Sequence, residues 1–232
     1  MSSCFKQPDE QLLSDLKTIV GDGGWKPGND ASRYYEDPRG RFEGSGCLVL
    51  LPENTQQVSD IVKRCNESKV GIVPYGGGTG VVAGQMSISS ANAIVLSLER
   101  MNQVRELLLD DEVIVAEAGC ILENIHETAT NHGLMFPLSM ASKGSCSIGG
   151  NLATNAGGIQ VVRYGNARDL CLGIEAVLPC GTIYSDLSPL RKNNTGYDLR
   201  HLLIGSEGTL GVITAATLAL KPIDAETATV YC

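Results

Sequence analysis

Glycine constrains this chain more than any other residue. It accounts for 27 of 232 residues and concentrates at 76–84, 144–158 and 205–211. An ordinary protein carries about 7 % glycine. Glycine weakens the interiors of helices and strands, so a cluster needs a reason. The two common ones are turns with positive φ and close backbone approach to a ligand.

The rest of the composition bounds the class. At 43 % hydrophobic, the chain can bury a core without disulfide or metal staples. Its longest apolar runs are four to six residues, far short of a membrane span. The amino-terminal MSSCFKQPDEQ has no apolar signal core and no Arg-rich amphipathic pattern. The expectation is a soluble cytoplasmic protein, or a mitochondrial matrix one if eukaryotic and processed. The net charge is −8, without a Lys/Arg block. That argues against nucleic acid as a partner, and any anionic ligand must be held by local geometry. The eight cysteines form no CxxC pair, so reduced thiols are expected, with Cys65 in a core stripe.

Periodicity predicts an α+β chain. Leu12, Leu13, Leu16, Ile19 and Val20 mark a helix over 8–20. Residues 25–46 read as irregular. Cys47 to Leu51 reads as a strand, followed by a helix with Asn54 as N-cap and Gln57 completing a capping box. Gly71 is expected to close that helix before a strand at Ile72-Val73, and Ile94 to Leu98 is the next strand. This strand–helix–strand unit suggests a small parallel sheet. Val113 to Ala118 alternates like a half-buried strand. Ile121 to Ala129 reads as a helix with Gly133 beyond its end. Leu172 to Leu178, Pro179-Cys180-Gly181 and Thr182 to Tyr184 read as a hairpin, and Leu210 to Leu220 as a long strand.

The first cluster, PYGGGTGVVAG (74–84), follows a strand. Its successive amides can form a nest for phosphate oxygens without cationic side chains, and Thr79 can add a hydroxyl. Gly78, Gly80 and Ala83, with Glu99 further on, also match a Rossmann fingerprint. That fingerprint needs a helix opening at the glycines, and VVAGQMSISSAN is a poor helix former. The second cluster, KGSCSIGGNLATNAGG (143–158), reads as a polar loop whose buried groups need partners, which a bound cofactor supplies. In the third, GSEGTLGVIT (205–214), Glu207 is equally a ligand contact or a turn residue.

Taken with RYGNARDL (163–170) and RKNNTGYDL (191–199), these strings resemble the FAD-binding domain of the vanillyl-alcohol oxidase-type flavoproteins. Within them the chain is most similar to D-2-hydroxyglutarate dehydrogenases and flavin D-lactate dehydrogenases. The resemblance runs from about Arg41 to Pro222. It implies a two-subdomain FAD-binding fold: a small parallel sheet with helices, and a larger, mainly antiparallel sheet with helices. The expected division is a helical segment over 1–40, a FAD-binding domain over 41–222 split near 102/103, and the start of a truncated cap domain over 223–232.

The resemblance also implies cofactor contacts. In the first loop these are Pro74, Gly76, Gly77, Gly78, Thr79, Gly80, Val81 and Gly84. In the central segment they are Pro137, Leu138, Gly144, Ser145, Cys146, Ile148, Gly149, Gly150, Asn151, Thr154, Asn155, Gly157, Gly158, Tyr164 and Gly165. In the third cluster they are Glu207, Gly208, Gly211, Val212 and Ile213, with Asn194 and Tyr197 placed near the flavin ring. The first loop has no His or Cys, so FAD is expected to be non-covalent. Similar proteins read RKDNTGYD where this chain has Asn193, which removes a carboxylate. The implied reaction passes a hydride from a D-2-hydroxy acid to the flavin. The acceptor would be an electron-transfer flavoprotein or a quinone, and a homodimer is compatible with this reading. The catalytic residues and a metal site are expected in the cap. His126, His132 and His201 lack metal-ligand spacing and read as structural, so no metal is expected here. Two alternatives stay open: a FAD-binding module without turnover, and another flavin oxidoreductase of the same fold.

Overall fold

The fold is described from a computed structural model covering residues 5–88 and 92–224. The expected α+β class is found, as two main sheets with helices. Helix α1 (Glu10–Val20) starts at Asp9, whose side chain accepts the Leu12 N–H. It buries Leu12, Leu16 and Val20. Strand β1 (Trp25–Pro27) follows, then two short 3-10 turns, Gly28–Asp30 and Ser32–Tyr34. The sequence reading missed β1 because three residues ending in proline carry no periodicity. Pairing with the next strand creates it.

Strand β2 (Leu48–Leu50) leads into helix α2 (Thr55–Ser68), then β3 (Ile72–Tyr75) and β4 (Ile94–Ser97). The α2 capping box is present, one residue offset. Asn54 accepts from the Gln57 N–H at 2.9 Å, and Gln57 accepts from the Glu53 N–H at 2.8 Å. The helix is closed by Lys69 in the left-handed region (φ 58°) rather than by Gly71. The first sheet has the order β1-β2-β4-β3, with β2, β4 and β3 parallel and β1 antiparallel at the edge.

The second sheet has the order β5-β6-β10-β8-β9 and is antiparallel throughout. It comprises β5 (Val104–Leu108), β6 (Val113–Glu117), β8 (Cys171–Val177), β9 (Ile183–Asp186) and β10 (Val212–Ala219). Helix α3 (Leu122–Thr130) and strand β7 (Leu134–Met135) follow β6, and β7 pairs with β11 (Lys221–Pro222). Three short helices complete the chain: α4 (Ile148–Ala153), α5 (Val161–Tyr164) and α6 (Leu199–Leu203). The predicted β8–β9 hairpin turns at Gly181 with φ 81°. Strand β6 is not half-buried as its alternation suggested. Val113, Ile114, Val115 and Ala116 are all buried, because β6 sits inside the sheet and both its faces are covered.

One core joins the two sheets. Leu50, Ile94 and Leu96 of the first sheet and Ile114, Ile174 and Leu218 of the second belong to it, with Ile61 of α2. The opposite face of the first sheet has its own small core, in which Val49, Leu51 and Val95 pack with Ala31 and Tyr34. The alternation of neighbours between the two cores follows the two-residue period of a strand. Two polar staples also link α2 to the second sheet. Thr55 donates to Glu175 at 2.6 Å, and Ser59 to the Gly181 carbonyl at 2.6 Å.

The described cysteines are free thiols. Burial pushes the Cys65 and Cys171 thiols up to about 12 and Cys120 to about 11, well above the ordinary thiol range. Above pH 9 the unfolded chain releases protons that the fold retains, so the native state binds more protons and stability falls as pH rises. Each thiol can contribute up to about 1.4 kcal/mol per pH unit over its window. Urea midpoints should therefore fall between pH 9 and 11 relative to pH 8. A thiol reagent with peptide mapping should label exposed Cys180 in the native chain, and Cys65, Cys120 and Cys171 only after unfolding.

Candidate functional site

Strand β3 ends at Tyr75 and the first glycine loop begins immediately beyond it. Gly78 takes φ +69° and Ala83 φ +60°, so the loop turns back on itself. No helix opens over 81–88, which removes the Rossmann reading. Glu99 is engaged elsewhere, with Arg33 bound to both its oxygens at 2.6 Å.

The second cluster corrects the sequence reading. It is not loop throughout, because 148–153 is the helix α4. Its N-cap is Ser147, whose hydroxyl accepts the Gly150 N–H at 3.4 Å. Helical glycine costs about 1 kcal/mol relative to alanine, so propensity argued for loop. Tertiary packing overrides it. A Cβ on Gly149 would lie 2.6 Å from the Ala118 Cβ, so only glycine lets α4 settle on the end of β6.

The two clusters meet directly. A Cβ on Gly77 would lie 2.1 Å from the Ser145 carbonyl oxygen, and one on Gly76 2.9 Å from the Ser147 hydroxyl. The third cluster closes the far side. The Glu207 N–H donates to the Ala153 carbonyl at 2.9 Å, and Gly205 donates to Leu152 at 3.0 Å. Glu207 holds φ +51°, and a Cβ on Gly208 (φ +78°) would lie 2.8 Å from the Pro74 Cγ.

A cavity of about 370 Å³ lies among the three clusters, within the range of small-molecule sites. Of the expected contacts it is lined by Pro74, Gly76, Gly77, Gly78, Thr79, Gly80, Val81, Gly84, Cys146, Gly149, Gly150, Asn151, Thr154, Glu207, Gly208, Gly211, Val212 and Ile213. Among the described residues no lysine or arginine lines it, and Glu207 is the one charged side chain. The walls that sequence reading missed include Tyr75, Gln85, Ala118, Met140, Ser142, Ser147 and Ala156. Ser147 had a legible signal, a serine at the start of a helix. Met140 and Ala156 had none, because only the fold brings them to the cavity. Asn151 is 4 % exposed, and its side-chain Nδ2 has no hydrogen-bond partner. A buried unpaired donor costs about 1–3 kcal/mol, so this group suits a ligand acceptor.

The other expected contacts sit outside the cavity lining. Ile148 and Leu138 are core, and the Leu138 carbonyl bonds the His126 Nε2 at 2.9 Å. Burial pulls the His126 pKa down. Asn155 (φ +48°) accepts the Arg168 N–H at 3.0 Å, and Arg168 in turn caps the Ile204 carbonyl at 2.5 Å. The RYGNARDL string is thus partly a brace between α4 and α6. Gly158 packs on the Ser139 backbone and Gly157 on Val161. The Tyr164 hydroxyl bonds Asp224 at 3.4 Å, and Gly165 turns over Asp169. Ser145 faces an adjoining open cleft, lined also by Arg33, Glu99 and Asn124. Pro137 and Gly144 line neither, nor do Asn194 and Tyr197; Tyr197 is 96 % exposed. Among the described residues no group of three His, Cys, Asp or Glu could hold a metal ion.

Comparisons with known proteins agree with this geometry. A family model described as FAD binding domain matches residues 47–186. The chain is 44 % identical over 219 residues to the mitochondrial D-2-hydroxyglutarate dehydrogenase of Arabidopsis thaliana, covering 94 % of this chain and 39 % of that protein. It is 47 % identical over 179 residues to the Bos taurus protein of the same name, covering 77 % and 32 %. The chain thus spans well under half the length of these relatives. Its fold superposes on a solved alkyldihydroxyacetonephosphate synthase with a TM-score of 0.82 at 23 % identity, over 97 % of this chain and 42 % of that one.

Two substitutions separate the roles within the site. Gly77→Ala should push the clusters apart and lower apo stability by about 1–3 kcal/mol, read from urea midpoints. Asn151→Leu removes an unsatisfied buried donor, so apo stability should hold or rise while FAD affinity falls. A fall in both would count against a free donor at Asn151.

Proposed function

This chain belongs to the FAD binding domain family and its cofactor is FAD; from that premise we propose that it is the cofactor-holding part of a dehydrogenase oxidising a D-2-hydroxy acid to the 2-oxo acid. The observation that carries the reading is the Gly76–Gly80 loop, which packs on Ser147 and Gly150 at the start of α4 and lines a cavity with no cationic side chain among the described residues. Backbone N–H groups can hold a pyrophosphate under those conditions. Asn151 supplies a waiting donor, and Met140, Ala156 and Val212 supply apolar wall.

Bound FAD supplies the hydride acceptor, which no side chain can. The chain's own residues bind it, orient it and exclude water. The loop amides and Thr79 take phosphate oxygens, and Asn151 and Thr154 take polar groups along the chain of the cofactor. The chain spans well under half of its relatives' length, and the group that takes the substrate hydroxyl proton is assigned to the part of those relatives that this chain does not cover. The same holds for the groups that bind substrate carboxylates. The names of the relatives favour D-2-hydroxyglutarate as substrate, with D-lactate second. The acceptor proposed is an electron-transfer flavoprotein or a quinone, and a homodimer is compatible. The mitochondrial names of the relatives favour the matrix if the source is eukaryotic. Among the described residues no helix is long and apolar enough to cross a membrane.

The attachment of FAD is proposed to be non-covalent, since the first loop contains neither His nor Cys. Among the described residues Cys146 is the one thiol lining the cavity, packed 3.6 Å from the Met140 sulfur. Acid precipitation of the yellow protein should release the flavin into the supernatant. Flavin retained in the pellet, and lost from it in Cys146→Ser, would reverse this. Anaerobic addition of D-2-hydroxyglutarate to the full-length gene product should bleach its flavin absorbance. No bleaching with either D-2-hydroxyglutarate or D-lactate would refute the substrate class.

A further inference from the structure

The tyrosine that ends β3 lies beneath the phosphate loop. Its hydroxyl oxygen stands 2.2 Å from where a Cβ on Gly78 would be, so the ring fills the space under the loop's left-handed turn. That turn sets where the neighbouring N–H groups point. Tyr75 is itself held from behind. Its hydroxyl donates to the Arg33 carbonyl at 3.3 Å, and its ring meets Tyr34 edge-on at 5.0 Å. Tyr34 is 1 % exposed, and its hydroxyl donates to Glu99 at 3.0 Å. Arg33 grips the same carboxylate. Arg33 and Tyr34 precede residues 47–186, the stretch matched by the family model.

We propose that Tyr75 is a positioning residue for phosphate binding, and that Arg33 and Tyr34 form the abutment that holds it under the Gly78 turn. The proposal rests on the reading above that the cofactor's pyrophosphate sits on Gly76–Gly80. The magnitudes rank the parts. The Arg33 and Glu99 side chains are 62 % and 38 % exposed, and an exposed ion pair contributes about 0–1 kcal/mol. The buried Tyr34 ring and the Tyr75 hydroxyl therefore carry most of the brace, with the ion pair secondary. Glu99, which mimics the acidic residue of a dinucleotide fingerprint in sequence, instead anchors this abutment.

The test is calorimetric titration of the 232-residue chain with FAD, ADP and riboflavin, alongside apo melting curves. Wild type should bind FAD, and ADP should compete with it. Tyr75→Phe should weaken FAD and ADP about fivefold, the scale of one lost hydrogen bond. It should leave riboflavin affinity unchanged and lower the apo melt by no more than the loss of that one hydrogen bond to Arg33 accounts for. Tyr34→Phe should act in the same direction, and Glu99→Gln less. Unchanged FAD and ADP affinity in Tyr75→Phe would overturn the proposal. So would an equal loss for riboflavin, which has no phosphate and would report general loosening. If FAD binds wild type but ADP does not compete, the phosphate-on-loop reading fails first and takes the brace with it.

Discussion

The structure depends on two backbone segments touching where side chains would forbid it. Gly76 and Gly77 lie against Ser145–Ser147, and Gly149 lies against Ala118. Any Cβ at Gly77 or Gly149 would overlap its neighbour, so the contact requires glycine on chemical grounds. Because that seam closes, the loop beyond the parallel sheet and the helix α4 beside the antiparallel sheet share one cavity. Some of the glycines thus shape the protein rather than meet the cofactor. They bring the walls together, and the others leave amides and space between them.

That seam also bears on how an acidic chain would hold an anionic cofactor. The net charge is −8 and, among the described residues, no lysine or arginine lines the cavity. In the proposed reading, attraction comes from backbone N–H groups at short range, which net charge does not cancel. The orphaned Asn151 donor bears on the same proposal. A polar group left unpaired in a buried wall is costly, and the proposed contact with the cofactor would relieve that cost. The local strain at Glu207, a non-glycine residue at φ +51°, sits on the same wall and is held by its N–H bond to Ala153.

Much of the architecture was legible beforehand. The α2 cap at Asn54, the strand at Ile94 and the Gly181 hairpin each rest on a local signal: a side-chain acceptor, a β-branched run, a positive-φ turn. The missed parts have non-local causes. Strand β1 exists because it pairs with β2. Helix α4 forms through two glycines because Ala118 leaves no room for anything larger. Lys69 rather than Gly71 ends α2, since the chain must turn before Val70 reaches the core. Strand β6 is buried on both faces because of where the sheet places it.

The sequence alone pointed to a phosphate-bearing cofactor, because its glycine clusters follow strand ends and stand in the order of a known family; that the loops themselves hold it is the proposal. It could not separate the glycines that line the cavity from those that let the backbone pack. It also could not show that Asn155 and Arg168 brace α6, or that Tyr75, Tyr34 and Glu99 stand behind the first loop. Those assignments depend on which distant segments approach within a few ångströms. Only the tertiary structure decides that, since a residue's local pattern carries no information about what lies across the core from it.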